Sequence, residues 1–485
     1  RIMRLLTLIV AIGLLAGISQ ADEFTYRNRE GETVTLEARL YGSGQGAFAL
    51  LKADGQVELV PERAVTKRVP KEGPKPITEE EMVAKLTKQF GEDRFRAQIK
   101  SPFVCGLVLA EPLGSRVEEA RCRAFLKKAN DFMKRVETIF EQFAREVRVP
   151  LESAEFPLVL LIFETDNDFE AYAKEITGGK GISASRTLGF YSAITNFLAI
   201  RMSECHTFET PLHEAIHQQV YNRQMLKRLA PLPAWFNEGI ATGFEGNGDR
   251  ITNGPVKVNS YYAKRAAEGS PIGWHDLVSG DVAFRGDIFA GDAYTHAWSM
   301  HWLLVNQHRD EYTEFVKMLG QKEPMAKSTE EERQKDFETV FGKSAESFQD
   351  EFLPQLKLEV KRQKVRFKGP AKGRDVTQSN LAEVDFGAVL RPQGIQVGGK
   401  LTNISYIREM AYYVTIETGS GLYADWLIPN LGINRSTNLK SQYARKRVSN
   451  PNPGLGATAV VINVHSAPVE SDEAKAWARG NVPAP

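Results

Sequence analysis

His213-Glu214-Ala215-Ile216-His217, followed by Pro233-Ala234-Trp235-Phe236-Asn237-Glu238-Gly239-Ile240-Ala241, is the most informative stretch of the chain. Residues four apart on a helix lie about 40° apart around the axis and one turn along it, so both imidazoles can reach one metal ion. Pro211 suits an early helical position with Thr210 as N-cap, and Leu212, Ile216 and Val220 supply an apolar stripe. Pro233 can open a second helix, and Glu238 follows His217 by 21 residues, which leaves room for a helical hairpin. A catalytic zinc site needs three protein ligands and one open position, and two histidines with one carboxylate meet that need. His213, His217 and Glu238 are therefore the expected ligands and zinc the expected ion. Glu209 or Glu245 could replace Glu238 as third ligand, and the bland reading of the histidines is a surface pair on a helix.

Through His213-Glu214-x-x-His217 and Trp235-Phe236-x-Glu238-Gly239 the sequence resembles the gluzincin metallopeptidases, especially the peptidase MA-like proteins grouped as DUF1570, over residues 95 to 355. A metzincin would carry glycine three places after the second histidine and another histidine three beyond it, where Val220 and Arg223 stand. The resemblance implies a zincin-like domain and peptide-bond hydrolysis. In it Glu214 is the general base, taking a proton from water and delivering it to the leaving amine. A further oxyanion donor is also implied, for which Tyr294, in Asp292-Ala293-Tyr294-Thr295-His296-Ala297-Trp298, is the candidate. Its competing reading is a core aromatic beside Trp298 and Trp302. His206, His296 and His301 read as ordinary hydrogen-bonding residues with no assigned role.

Upstream, the continuous run Leu158-Val159-Leu160-Leu161-Ile162-Phe163 suits a strand buried on both faces. The segments Leu188–Tyr191 and Phe197–Ile200, parted by Thr195-Asn196, predict a hairpin bordering the cleft. Ser115 with Glu118 opens a long helix whose apolar face holds Cys122, Phe125, Leu126, Ala129, Met133, Val136 and Phe140, and Thr78 with Glu81 forms an earlier capping box. Pro70-Lys71-Glu72-Gly73-Pro74-Lys75-Pro76 reads as a linker. Before it, alternating Val34, Leu36, Ala38 and Leu40 and the Asp54-Gly55 turn predict a small β-barrel. Its Lys52-Ala53-Asp54-Gly55 turn and Val60-Pro61 close resemble the SHD1-type, SH3-like module.

At the start, Arg1 and Arg4 precede an apolar run from Leu5 to Leu15 and then Ser19-Gln20-Ala21, the pattern of a secretory signal peptide cut after Ala21 rather than a lasting membrane anchor. Met3 is an alternative start. Downstream, Tyr412–Ile416 and Ala459–Val464 are β-prone runs divided by Gly, Pro and Asn, and the charged stretch Lys357–Lys372 is either a linker or a solvated helix end. The 62 Lys+Arg balance 61 Asp+Glu, which gives no electrostatic ground for nucleic-acid binding. Cys105, Cys122 and Cys205 lack thiolate-site spacing; Cys205 is either a free thiol or paired with Cys122.

The chain therefore reads as a multidomain α+β protein, a zincin-like catalytic domain flanked by a small N-terminal β-barrel and a C-terminal β-domain. Its expected parts are a signal peptide (1–21), the SH3-like barrel (22–70), a linker and helix (71–94), the catalytic domain (95–360), a linker (361–393) and the C-terminal β-domain (394–485). The expected function is a secreted or periplasmic zinc metallopeptidase acting on a peptide or protein, its β-domains presenting substrate or engaging an envelope component. The alternative is an exported binding or scaffold protein with a non-catalytic peptidase-like domain.

Overall fold

The computed structural model describes residues 20–178, 188–205, 209–245, 254–285, 290–365, 375–379, 381–418, 422–446 and 460–483. Most of the expected signal peptide lies outside them. Strands β1 (Gln20–Arg27), β2 (Thr33–Gly44), β3 (Ala47–Leu51), β4 (Val57–Pro61) and β5 (Val65–Glu72) form one sheet in the order β4-β3-β2-β1-β5. Closing it into a barrel would require β4 to pair with β5, and among the described residues they do not pair. The expected barrel is thus an open antiparallel sheet, because Glu62–Ala64 turns the chain from β4 into β5 and β5 then spends its length on β1. β5 also runs through Pro70-Lys71-Glu72, so the proline-rich segment starts as an edge strand, where a missing N–H is tolerated, and not as a linker.

Thr78 caps helix α1 (Glu79–Phe90) in a reciprocal box with Glu81. α1 belongs to the next layer rather than to a linker, since its Met82 and Leu86 are fully buried there. That layer is a second sheet of β6 (Phe95–Lys100), β7 (Phe103–Val108), β8 (Leu158–Phe163), β9 (Gly189–Tyr191) and β10 (Phe197–Arg201), in the order β6-β7-β8-β10-β9. β7, β8 and β10 run parallel, and the edges β6 and β9 run antiparallel to their neighbours. Helix α2 (Arg116–Glu146) connects β7 to β8, and α3 (Asp166–Thr177) follows β8.

The sheet is covered on both faces, which explains the unbroken apolar run in β8. Leu158, Leu160 and Ile162 lie in one core with Phe125, Leu126, Phe132 and Met133 of α2. Val159, Leu161 and Phe163 meet α1 and Phe169, Tyr172 and Ala173 of α3. Ser115 caps α2 through the Glu118 amide, but the Glu118 carboxylate accepts from the Gly114 N–H, so the reciprocal half of the expected box is redirected.

Among the described residues eight helices follow: α4 (Glu209–Asn222), α5 (Ala234–Phe244), α6 (Ser260–Glu268), α7 (Trp274–Ser279), α8 (Ala290–Gln307), α9 (Arg309–Gln321), α10 (Glu330–Phe341) and α11 (Ala345–Arg362). α11 absorbs the start of the charged stretch, as a helix end; residues 366–374 lie outside the description. The C-terminal part begins at residue 375 and not at 394. Strands β11 (Asp375–Ser379), β12 (Ala382–Arg391) and β13 (Gly394–Asn403) join β16 (Ser436–Tyr443) in one sheet. β14 (Met410–Thr418), β15 (Leu422–Leu431), β17 (Arg445–Lys446) and β18 (Val460–Pro468) form the other, and helix α12 (Asp472–Ala478) packs Trp477 near Tyr413.

This part shares one continuous core with the helices and the second sheet. Arg408 seals the contact: it is 2% exposed, and its Nε donates to the fully buried side chain of Glu164 at 2.7 Å. All three cysteines are free and buried, so the Cys122–Cys205 pairing is not made, and Cys205 instead lies close enough to Cys105 to influence it electrostatically. Among the described residues, no helix is long and apolar enough to cross a membrane.

Candidate metal centre

α4 starts at Glu209, so Thr210 sits inside the helix, and its hydroxyl donates to the Glu204 carboxylate instead of capping. Leu212, Ala215, Ile216 and Val220 bury one side of α4, which turns His213 and His217 toward α5. α5 starts after Pro233, which has no side chain to cap it. Asp281 caps it from outside, accepting from the Ala234 N–H at 3.0 Å while Arg333 holds the same oxygen at 2.7 Å. Trp235 and Phe236 anchor α5 against Phe315. Gly239 lets α8 approach, since a Cβ there would stand 2.8 Å from the Ala297 carbonyl oxygen. The aromatic-glycine context of Glu238 is thus the packing that fixes its helix.

The three expected ligands converge. Nε2 of His213 lies 3.1 Å from Nε2 of His217 and 3.1 Å from Oε2 of Glu238, and His217 Nε2 lies 3.5 Å from that oxygen. Donor atoms at 2.0–2.1 Å around a tetrahedral zinc ion would be separated by about 3.3 Å, so this set fits such an ion. The three residues form a group able to hold a metal. His213 Nδ1 is 2.6 Å from Glu245 Oε1, an arrangement in which Nδ1 donates and the lone pair stays on Nε2. Glu245 is in turn fixed by the Tyr262 hydroxyl at 2.6 Å.

Burial alone would depress the His213 pKa, but hydrogen bonds to Glu238 and Glu245 overcome it and raise the pKa well above the ordinary histidine value. Burial would raise Glu238, yet His217 and His213 outweigh it and hold that carboxyl far below its usual range. Glu214 differs: burial pushes it up against the opposing pull of the two histidines, while its Oε2 accepts the Tyr191 N–H at 2.7 Å. Three carboxylates around two imidazoles make a setting suited to a divalent cation.

Tyr294 reaches the same place. Its ring centroid is 6.1 Å from that of His213, and Phe284 packs on its ring at 5.6 Å; burial and the nearby Glu238 and Glu214 carboxylates raise the pKa of its phenol. Trp298 stacks with Tyr262 and Trp302, and Tyr294 packs, partly buried, against that same core, so the core-aromatic reading also has a structural basis. Of the competing ligands, Glu245 stands behind His213, and the Glu209 side chain lies outside the described residues. His296 accepts from Trp274 Nε1 at 2.9 Å, His301 is buried beside Tyr312, and His206 lies outside the description.

Sequence reasoning missed the support of Glu238. Tyr221 donates to Asn237 Oδ1 at 2.7 Å, and Asn237 Nδ2 donates to Glu238 Oε1 at 3.1 Å. Asn237 adjoins Glu238 in the chain, but Tyr221 gave no signal beyond lying four residues after His217.

Residues 208–326 match the family model described as "Protein of unknown function (DUF1570)", a span that holds His213, Glu214, His217, Glu238, Glu245 and Tyr294 but not Tyr191. No curated protein matches the chain. Among solved structures it is similar to Legionella pneumophila aminopeptidase A in complex with aspartic acid, at 14% identity and a TM-score of 0.27, over 70% of this chain and 34% of that one. The chain spans about a third of that structure's length, and a likeness this slight carries no argument.

Proposed function

We propose that the chain is an exported zinc metallopeptidase of the gluzincin type. The observation that carries the reading is the near-tetrahedral spacing of His213, His217 and Glu238, with the partly buried carboxyl of Glu214 next to His213 on the same helix. A zinc ion held there supplies Lewis acidity, which makes water more acidic and a carbonyl more electrophilic. Glu214 takes the proton of the attacking water; as the C–O bond forms and the C–N bond breaks, the same carboxyl delivers that proton to the departing amine. Tyr294 is the candidate donor to the carbonyl oxygen that becomes negative. The Tyr191 amide and the hydrogen bond of Asn237 to Glu238 orient the base and the third ligand.

Export rests on the charged and apolar pattern of residues 1–21. The test is Glu214→Gln in the full chain: hydrolysis of labelled casein should fall by roughly a hundredfold or more while bound zinc stays at the wild-type level. A variant that cleaves as fast as wild type would overturn the assignment of the base. Loss of no activity because none exists, with zinc still bound, would favour the scaffold reading.

A further inference from the structure

We infer that Arg228 is a positioning residue that pins the β9–β10 turn to the N-terminal sheet, and so sets the strand whose Tyr191 amide holds Glu214. Its catalytic consequence rests on the peptidase reading; the pinning stands on geometry.

Arg228 is 4% exposed, and its Nη1 donates to two carbonyl oxygens, that of Ala193 in the β9–β10 turn at 3.2 Å and that of Gly55 in the β3–β4 turn at 2.9 Å. Its guanidinium lies over the Tyr41 ring, 5.6 Å from the centroid, and the backbone N–H of Arg228 donates to the Tyr41 hydroxyl at 3.1 Å. The next carbonyl of the turn, that of Ile194, accepts the N–H of Val57 in β4 at 2.7 Å. Two successive carbonyls are therefore held from outside the hairpin, one by Arg228 and one by the N-terminal sheet.

The hairpin has reason to need this. β9 is three residues long and lies at the sheet edge, paired among the described residues with β10 alone, so its own ladder fixes it weakly. Two lines run from it into the metal centre. The Tyr191 amide donates to Glu214. The Tyr191 ring stacks on Tyr221 at 5.7 Å, and Tyr221 leads through Asn237 to Glu238. A shift of the turn would reach both the base and the third ligand. Burying a guanidinium between two backbone carbonyls is costly when an apolar side chain would fill the same space, which suits a residue retained for geometry.

Hydrogen exchange on the full-length wild type, Arg228→Met, Arg228→Lys and Tyr41→Phe tests this. Arg228→Met should speed exchange over residues 189–197 about tenfold, with residues 158–163 unchanged. Tyr41→Phe should do so more mildly, and Arg228→Lys should recover part of the protection. In zinc-loaded protein, kcat on labelled casein should drop about tenfold with KM moving less than about twofold. Wild-type exchange across 189–197 in Arg228→Met overturns the inference, as does faster exchange spread evenly over the chain. If the wild type binds no zinc and cleaves nothing, the peptidase reading falls, and the exchange measurement still decides whether Arg228 pins the turn.

Discussion

Glu245 stands 2.6 Å behind His213 Nδ1 and is itself gripped by Tyr262, so the imidazole is fixed in both tautomer and direction. Removing such a partner weakens metal affinity by roughly 10–100-fold. Glu245→Ala should therefore show that loss in a zinc competition titration, with the fold retained. On the proposed peptidase reading, Tyr294 has a different duty. Tyr294→Phe should keep zinc and lower kcat by roughly a hundredfold, the scale of one lost oxyanion donor. At this scale the pattern His213-Glu214-x-x-His217 with Glu238 was legible, because metal binding demands particular residue types at helical spacing. Glu245 was visible only as a competing ligand, since nothing in sequence tells a carboxylate that touches an ion from one that touches the ligand behind it.

At the scale of elements, the close crossing of α5 and α8 is set by small residues. Gly239→Ala would drive a Cβ to 2.8 Å from the Ala297 carbonyl oxygen, and the backbone has to yield. Overpacking of this kind costs about 1–3 kcal/mol, which thermal unfolding of the variant would register. On α8, burial holds His301 neutral and carries its pKa down to about 3. The unfolded chain regains a value of about 6.5 and binds the proton first, so this contribution to stability is full above pH 6.5 and lost as pH falls toward 3. The slope is at most about 1.4 kcal/mol per pH unit, and His301→Gln should lose less stability than wild type between pH 7.5 and pH 5.

β8, α2 and the β9–β10 hairpin were readable here, from an unbroken apolar run, a helical stripe and a polar turn. The open N-terminal sheet was not. Alternating residues report strands and their buried face, while closure depends on whether β4 and β5 meet, a pairing that local sequence does not encode.

Across the whole molecule, the C-terminal sheets are built into the part that carries the second sheet and the helices. Arg408 reaches out of them to Glu164 and to the Glu111 carbonyl oxygen at 2.6 Å, and Tyr406 packs on Phe125 with ring centroids 5.0 Å apart. Arg408→Met would leave Glu164 buried without its cation and should cost about 3–5 kcal/mol, seen as a lower denaturation midpoint. This union escaped the sequence because Arg408 lies 244 positions from Glu164, and neither residue is distinctive alone.

The central claim is one zinc ion held by two helices, and metal analysis of the reconstituted full chain tests it most directly. Wild type should hold about one zinc per chain and His217→Ala almost none. A wild-type protein that takes up no zinc, or a His217→Ala variant that holds as much as wild type, would contradict it.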